Sequence, residues 1–242
     1  MRAVAKVFFI GLGQILRDGM LLLLVPTPFL MAAALRFILP WGDRLLIQEM
    51  NFSLVTWYPL SDVLVLAMTP IMTGVIFAFL MLDERDERIG TYYSITPVGG
   101  HSYLWARLAA PMIWAFFTSI IVILLFGLSI EDMAVILTVN TIGTLQGVIS
   151  ALLILVLAGN KVEGVALSKL TNALILGLPV AWFIDAPYKY LAAFLPSYWM
   201  GEIVHATTMG ALSVMLPYGL VGAVIALLWI VILLRLYLRR AD

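Results

Sequence analysis

Six long intervals with almost no charge dominate this sequence, and they leave little freedom in what it can fold into. They are Gly19–Leu35, Val63–Leu82, Leu108–Ile130, Met133–Asn160, Gly164–Ile184 and Leu212–Leu234. A hydrocarbon layer about 30 Å thick is crossed by about 20 apolar residues at 1.5 Å each, so each interval reads as a membrane-crossing helix. Composition agrees: 63% of the 242 residues are hydrophobic and 12% are charged, against about a quarter charged in an ordinary soluble domain. Mean hydropathy is +1.07. The expected fold is all-α, a polytopic membrane protein forming one transmembrane domain over 1–242. Its spans fall at about 19–39, 60–82, 108–130, 134–158, 165–184 and 212–235. Prolines 26, 28, 70, 111, 179 and 217 fall within or beside them, and neighbouring helices can satisfy the backbone groups that proline frees.

Orientation follows from the basic residues. Eleven of the fourteen Lys and Arg lie before span one, after spans two and four, and in the tail, while Arg36, Arg44 and Lys189 lie on the other side. The positive-inside rule places the eleven, and with them both termini, in the cytoplasm, and so points to the inner membrane. Residues 1–18 are not a span. Arg2, Lys6, Gly13, Gln14 and Arg17 share one arc at 100° per residue, which suits an amphipathic helix at the membrane interface better than a cleaved leader. Residues 185–211 carry Tyr188, Tyr190, Phe194, Tyr198 and Trp199 with Pro187 and Pro196. That mixture suggests short extracellular helices re-entering the outer leaflet before the last span.

Several classes of function fall away on composition. The net charge is zero and the basic residues form no run, so the footprint required by nucleic acid is missing. Cysteine is absent, and His101 and His205 are expected on opposite sides of the membrane, so a metal site shared between them is not expected. There is no G-x-x-x-x-G-K-[ST], G-x-S-x-G or H-E-x-x-H, so the residues supply neither a phosphate loop nor a hydrolase constellation.

The segment from Leu82 to Ala109, LDERDERIGTYYSITPVGGHSYLWARLA, is the most informative. Alternating charge over Asp83–Arg88 suits a helix leaving the membrane, Gly90 permits a sharp turn, and Pro97 fits the first position of a second helix. Simple solvation of two span ends would produce a similar charge pattern. Acidic and basic residues, then Gly90-Thr91, then Thr96-Pro97 and an aromatic entry to the next span resemble the permeases of type 2 ABC exporters. Arg17-Asp18 resembles their connecting-helix junction, LPSYWMGEIV (195–204) their extracellular turn, and GNKVEGVALSKL (159–170) is similar to the fluoroquinolone-export subgroup.

The resemblance covers the whole chain and implies a cytoplasmic coupling loop at 83–107. Glu84, Glu87, Arg88, Gly90, Thr91 and Pro97 would meet a separate ATPase, Arg17 and Asp18 would form the connecting helix, and Asn160, Lys161 and Glu163 a second cytoplasmic loop. It also implies a second permease, the same chain or a sister, around a shared path, with ATP and Mg held by the partner ATPase and no cofactor in this chain.

Asn140, Thr144, Gln146, Asn172 and Asp62 either line that path or hold helices together, and Ser168 is of the same kind. Asn140, Gly143, Thr144 and Gly147 share a face, and Gly143-x-x-x-Gly147 is a close-packing motif. Arg36 and Asp62, at the outer ends of spans one and two, are candidates to pair with each other or with a charged substrate. The leading function is the membrane subunit of an ATP-driven exporter of an amphipathic drug, lipid or peptide. A scaffold or immunity protein without transport, and less readily an intramembrane enzyme, are the other classes that six spans permit.

Overall fold

In the computed structural model, residues 2–87 and 105–241 are described, with side chains over 8–87 and 107–239. Among them no strand occurs, and six helical segments are long and apolar enough to cross a membrane: Gly19–Met50, Val55–Asp86, Arg107–Phe126, Met133–Leu157, Lys161–Phe183 and Leu212–Arg239. We number these spans one to six. Helix Arg2–Arg17 precedes them, and a shorter helix, Pro196–Thr208, lies between spans five and six. The N-terminal helix and the end of span six share one end of the bundle, where Phe8, Leu12 and Tyr237 pack on the same cluster. That end is called proximal below, and the other distal.

Spans two and four form the centre, 78% and 72% buried, against 17% for span one and 22% for span six. Lipid tails are as apolar as leucine, so this pair is held by close packing rather than by escape from water. Glycine makes the approach possible. A Cβ on Gly147 would stand 2.5 Å from the carbonyl oxygen of Pro70, and one on Gly143 would stand 2.8 Å from that of Leu66. Pro70 has no N–H to offer Leu66, so Gly143 packs against a carbonyl that span two has itself left without its usual donor. Gly74 closes the same seam from the other side, its Cα facing the carbonyl of Gly147.

Span one runs further than the apolar pattern suggests. Its second helix extends from Thr27 to Met50 with Pro40 inside it, past the end expected near residue 39. Asp43 explains the extension: it is buried rather than solvated, and it accepts hydrogen bonds from Ser53 Oγ at 3.1 Å and Leu54 N at 2.5 Å. The helix stops at Asn51, whose φ of 52° lies in the left-handed region, a conformation asparagine tolerates better than most residues. Span two stays helical to Asp86, so Asp83–Asp86 of the acidic and basic run continue the helix out of the apolar stretch.

Two spans are broken part-way. Span one breaks at Val25–Pro26, between Gly19–Leu24 and Thr27–Met50. Pro26 and Pro28 deprive the carbonyls of Leu22 and Leu24 of their usual amides. Span five passes from α-helix Lys161–Thr171 through a 3₁₀ turn Asn172–Ile175 into helix Gly177–Phe183. There the carbonyl of Leu174 accepts from Gln146 Nε2 at 3.1 Å and from Ser197 Oγ at 2.5 Å. Side chains of span four and of helix Pro196–Thr208 therefore hold the break in place.

At the distal end, Arg36 and Asp62 do not pair with each other. Arg36 Nη1 donates to the carbonyl of Gly127 at 2.6 Å, and Asp62 accepts the backbone N–H groups of Leu128, Ser129 and Ile130 at 2.7 to 2.9 Å. Both fasten the turn between spans three and four. His205 packs on Trp182, ring centroids 4.9 Å apart, while His101 lies outside the described residues.

Candidate functional site

Four consecutive side chains at the proximal end of span two point in different directions, because a helix turns 100° per residue. Together they engage spans three, four and five. Asp83 accepts from Lys161 Nζ at 2.5 Å. Glu84 receives Arg107 Nε at 3.0 Å and also pairs with its Nη2. Arg85 donates to the carbonyls of Ala158 and Leu155 at 3.0 and 3.1 Å, at the end of span four. Asp86 accepts the backbone N–H of Lys161 at 3.1 Å. One helix end thus gathers the starts of spans three and five and the finish of span four.

The Glu84–Arg107 pair is buried, with 1% and 0% of the side chains exposed. Arg107 sits in a π-helical turn, Trp105–Ala109, at the entry to span three. Its Nη2 also reaches Gln14 Oε1 at 3.3 Å. Gly11 leaves the space the guanidinium occupies, since a Cβ there would collide with Arg107 Nη1. The N-terminal helix is thereby docked on the pair, and Phe8 stacks on Phe77 with centroids 6.1 Å apart. Arg107 was not among the residues singled out from the sequence. Its one signal there is that it is the last charge before span three.

Lys161 is the second hub. Its ammonium bridges Asp83 at 2.5 Å and Asp18 at 2.6 Å. Asp18 caps the first helix of span one, accepting from Met20 N and Leu21 N at 2.9 and 3.1 Å. The hydrogen bond from Lys161, followed by those backbone amides, holds the Asp18 carboxyl below the usual carboxylate range. Asn160 and Glu163 cap span five reciprocally: Asn160 Oδ1 accepts Glu163 N at 2.9 Å, and Glu163 Oε2 accepts Gly159 N at 2.7 Å.

The remaining sequence candidates divide clearly. Asn140 is buried and donates to the carbonyl of Phe116 at 2.9 Å, joining spans three and four, and Thr144 donates to the carbonyl of Asn140 in its own helix. With Gln146, which holds the break in span five, they act on helix geometry. Arg17 and Glu87 are exposed, with no ion pair among the described residues. Arg88, Gly90, Thr91 and Pro97 lie outside the described residues. Asn172 and Ser168 border a cavity of about 170 Å³ between spans one, two and five.

Residues 12–234 match the family described as Fluoroquinolones export permease protein Rv2686c-like. The chain belongs to this family. Two curated relatives, both from Mycobacterium tuberculosis, are Fluoroquinolones export permease protein Rv2686c of strain H37Rv and protein MT2760 of strain CDC 1551. Each is 31% identical over 227 residues, covering 88% of this chain and 86% of the relative. No solved structure matches. Membership makes the chain a multi-pass membrane permease and agrees with the subgroup that its second short loop resembles. Asn160, Lys161 and Glu163 of that loop form the cap and the bridging amine of the proximal network in this permease.

Proposed function

We infer that this permease is the membrane subunit of an ATP-driven exporter, coupled to a separate ATPase that holds ATP and Mg. In this reading it contributes half of a path shared with a second permease, the same chain or a sister. The proximal end faces the cytoplasm of the inner membrane, and residues 83–107 receive the motion of the ATPase. The observation that carries the reading is the proximal network. Residues 88–104 are covalently joined on one side to span two, beside Glu84, and on the other to the turn that holds Arg107. Force on that segment therefore acts at once on both halves of a buried ion pair. From there it reaches span four through Arg85, and spans one and five through Asp83 and Lys161. The cargo is an amphipathic molecule, for which the relatives' names supply the fluoroquinolones as the first class to try. The path lies beside the cavity that Asn172 borders.

Co-expression with candidate ATPases tests this. An ATPase co-purifies with the full chain, and its ATP hydrolysis falls at least about tenfold when Glu87 and Arg88 are both reversed in charge, as expected for a segment that meets its partner through charged side chains. Inside-out vesicles carrying the complex accumulate a fluoroquinolone only with ATP. If no ATPase binds and no ATP-dependent accumulation occurs, a scaffold replaces the exporter.

A further inference from the structure

The contacts of Lys161 with Asp18 and Asp83 fix the relative heights of spans one, two and five. Eight residues deeper from each of these three positions stand Pro26, Val75 and Lys169, about 12 Å into the bundle at 1.5 Å per residue. This level holds the break in span one, and span five leaves α-helical geometry one turn further on. Here also lies the cavity of about 170 Å³, open on one side, whose lining includes Thr27, Met68, Met72, Ser168, Lys169 and Asn172. Two helix breaks that border one cavity, about a turn apart in depth, form the kind of place where membrane transporters hold ligands.

We propose that this cavity binds an amphipathic monocarboxylate, with Lys169 as its counter-charge and the methionines of span two against its apolar body. The proposal rests on the permease reading and names the ligand class of its path. Lys169 and Asn172 are both exposed where they line the cavity, and Lys169 has no carboxylate partner among the described residues, so its ammonium is open to an anion that enters there. The other polar groups set the charge of the guest. Ser168 Oγ donates to the carbonyl of Val165 at 2.8 Å and Thr27 Oγ1 to that of Leu23 at 3.2 Å, so neither hydroxyl has a proton left to give. The Lys169 ammonium and the Asn172 amide remain as the donors. One positive charge and one neutral amide match a carboxylate; a doubly charged phosphate would need more donors. Met68 and Met72 supply adaptable thioether surface that suits an aromatic or an aliphatic body.

Binding to the full-length chain in lipid nanodiscs, without any ATPase, tests the site separately from the coupling reading. The probe is 1-pyrenebutyric acid, followed by its fluorescence and compared with its primary amide. The acid is expected to bind about tenfold or more tighter than the amide, the usual worth of a charged hydrogen bond. Lys169→Gln removes that preference, Lys169→Arg restores it, and Asn172→Leu weakens the acid alone. Arg44→Gln, at an exposed distal position, changes nothing. Displacement by oleate assigns the site to lipid-derived acids and displacement by a quinolone carboxylate to drug-like ones, and either result supports a carboxylate site. Equal binding of acid and amide, or an acid preference that survives Lys169→Gln in protein with an unchanged gel-filtration profile, overturns it. In that case Lys169 reaches back to the proximal interface by snorkelling. Such a failure leaves the coupling to an ATPase standing, because no ATPase takes part.

Discussion

Removing one partner of the Glu84–Arg107 pair leaves a charge where 1% or less of either side chain is exposed. The loss of a buried partner costs about 3–5 kcal/mol, whereas replacing both with neutral groups is often nearly harmless. Glu84→Gln is therefore expected to lower the melting temperature of the purified chain sharply, and the double variant Glu84→Gln with Arg107→Met to recover most of the loss. Equal destabilisation in the single and double variants would contradict this account. Asp18 responds to pH. Its folded carboxyl titrates below the ordinary value, so its contribution is complete above the ordinary carboxylate range and fades as pH falls through it toward the lower folded value. The gap in melting temperature between the wild type and Asp18→Asn is accordingly wide at neutral pH and narrows on acidification. Neither partnership is legible in the sequence. Residues 84 and 107 lie on either side of a stretch of mixed polar and aromatic residues, and Asp18 and Lys161 are separated by more than half the chain, so charge pattern alone assigns them to solvated ends.

At the scale of elements, the seam between spans two and four depends on glycines whose neighbours are backbone atoms and cannot swing aside. Gly147→Ala, with its Cβ 2.5 Å from the carbonyl oxygen of Pro70, is expected to cost about 1–3 kcal/mol, the usual range for overpacking a core. Gly13→Ala, in the N-terminal helix with nothing within 4 Å, is expected to be neutral or stabilising by up to about 1 kcal/mol through helix propensity alone. Thermal melts of the two variants in the same detergent give the comparison. The Gly143-x-x-x-Gly147 spacing was readable from sequence as a packing motif. Its partner was not, because nothing in the pattern says that Pro70 frees the Leu66 carbonyl on the facing helix. Span one shows the opposite difficulty. Pro40 and Asp43 look like the start of a loop, and only the side-chain bonds from Asp43 to Ser53 and Leu54 explain why the helix continues to Met50.

Across the whole molecule, six spans were legible because lipid admits few alternatives to long apolar helices. What they surround was not, since lining a cavity and touching lipid make similar demands on a side chain. Spans one and six keep most of their surface uncovered, with Leu23 75% and Phe37 72% exposed. The cavity opens between spans one, two and five, so the proposed second permease should stand against span one. The chain has no cysteine, and Leu23→Cys is thus a clean probe. In native membranes a short bifunctional reagent is expected to join Leu23→Cys copies into a dimer, or to a sister chain, more readily than Leu228→Cys copies on span six. Equal yields from both positions would place the partner elsewhere.

The doubly bonded carbonyl of Leu174 has one further consequence. Gln146 and Ser197 clamp span five at a single point, the arm on one side ends at Lys161, and the arm on the other packs on helix Pro196–Thr208 through Gly201 and Ala181. Span five is thus two arms joined at one clamped turn. In the exporter proposed above, that turn is the elbow of a crank, the place where a tug on Lys161 is handed to the far arm and to helix Pro196–Thr208.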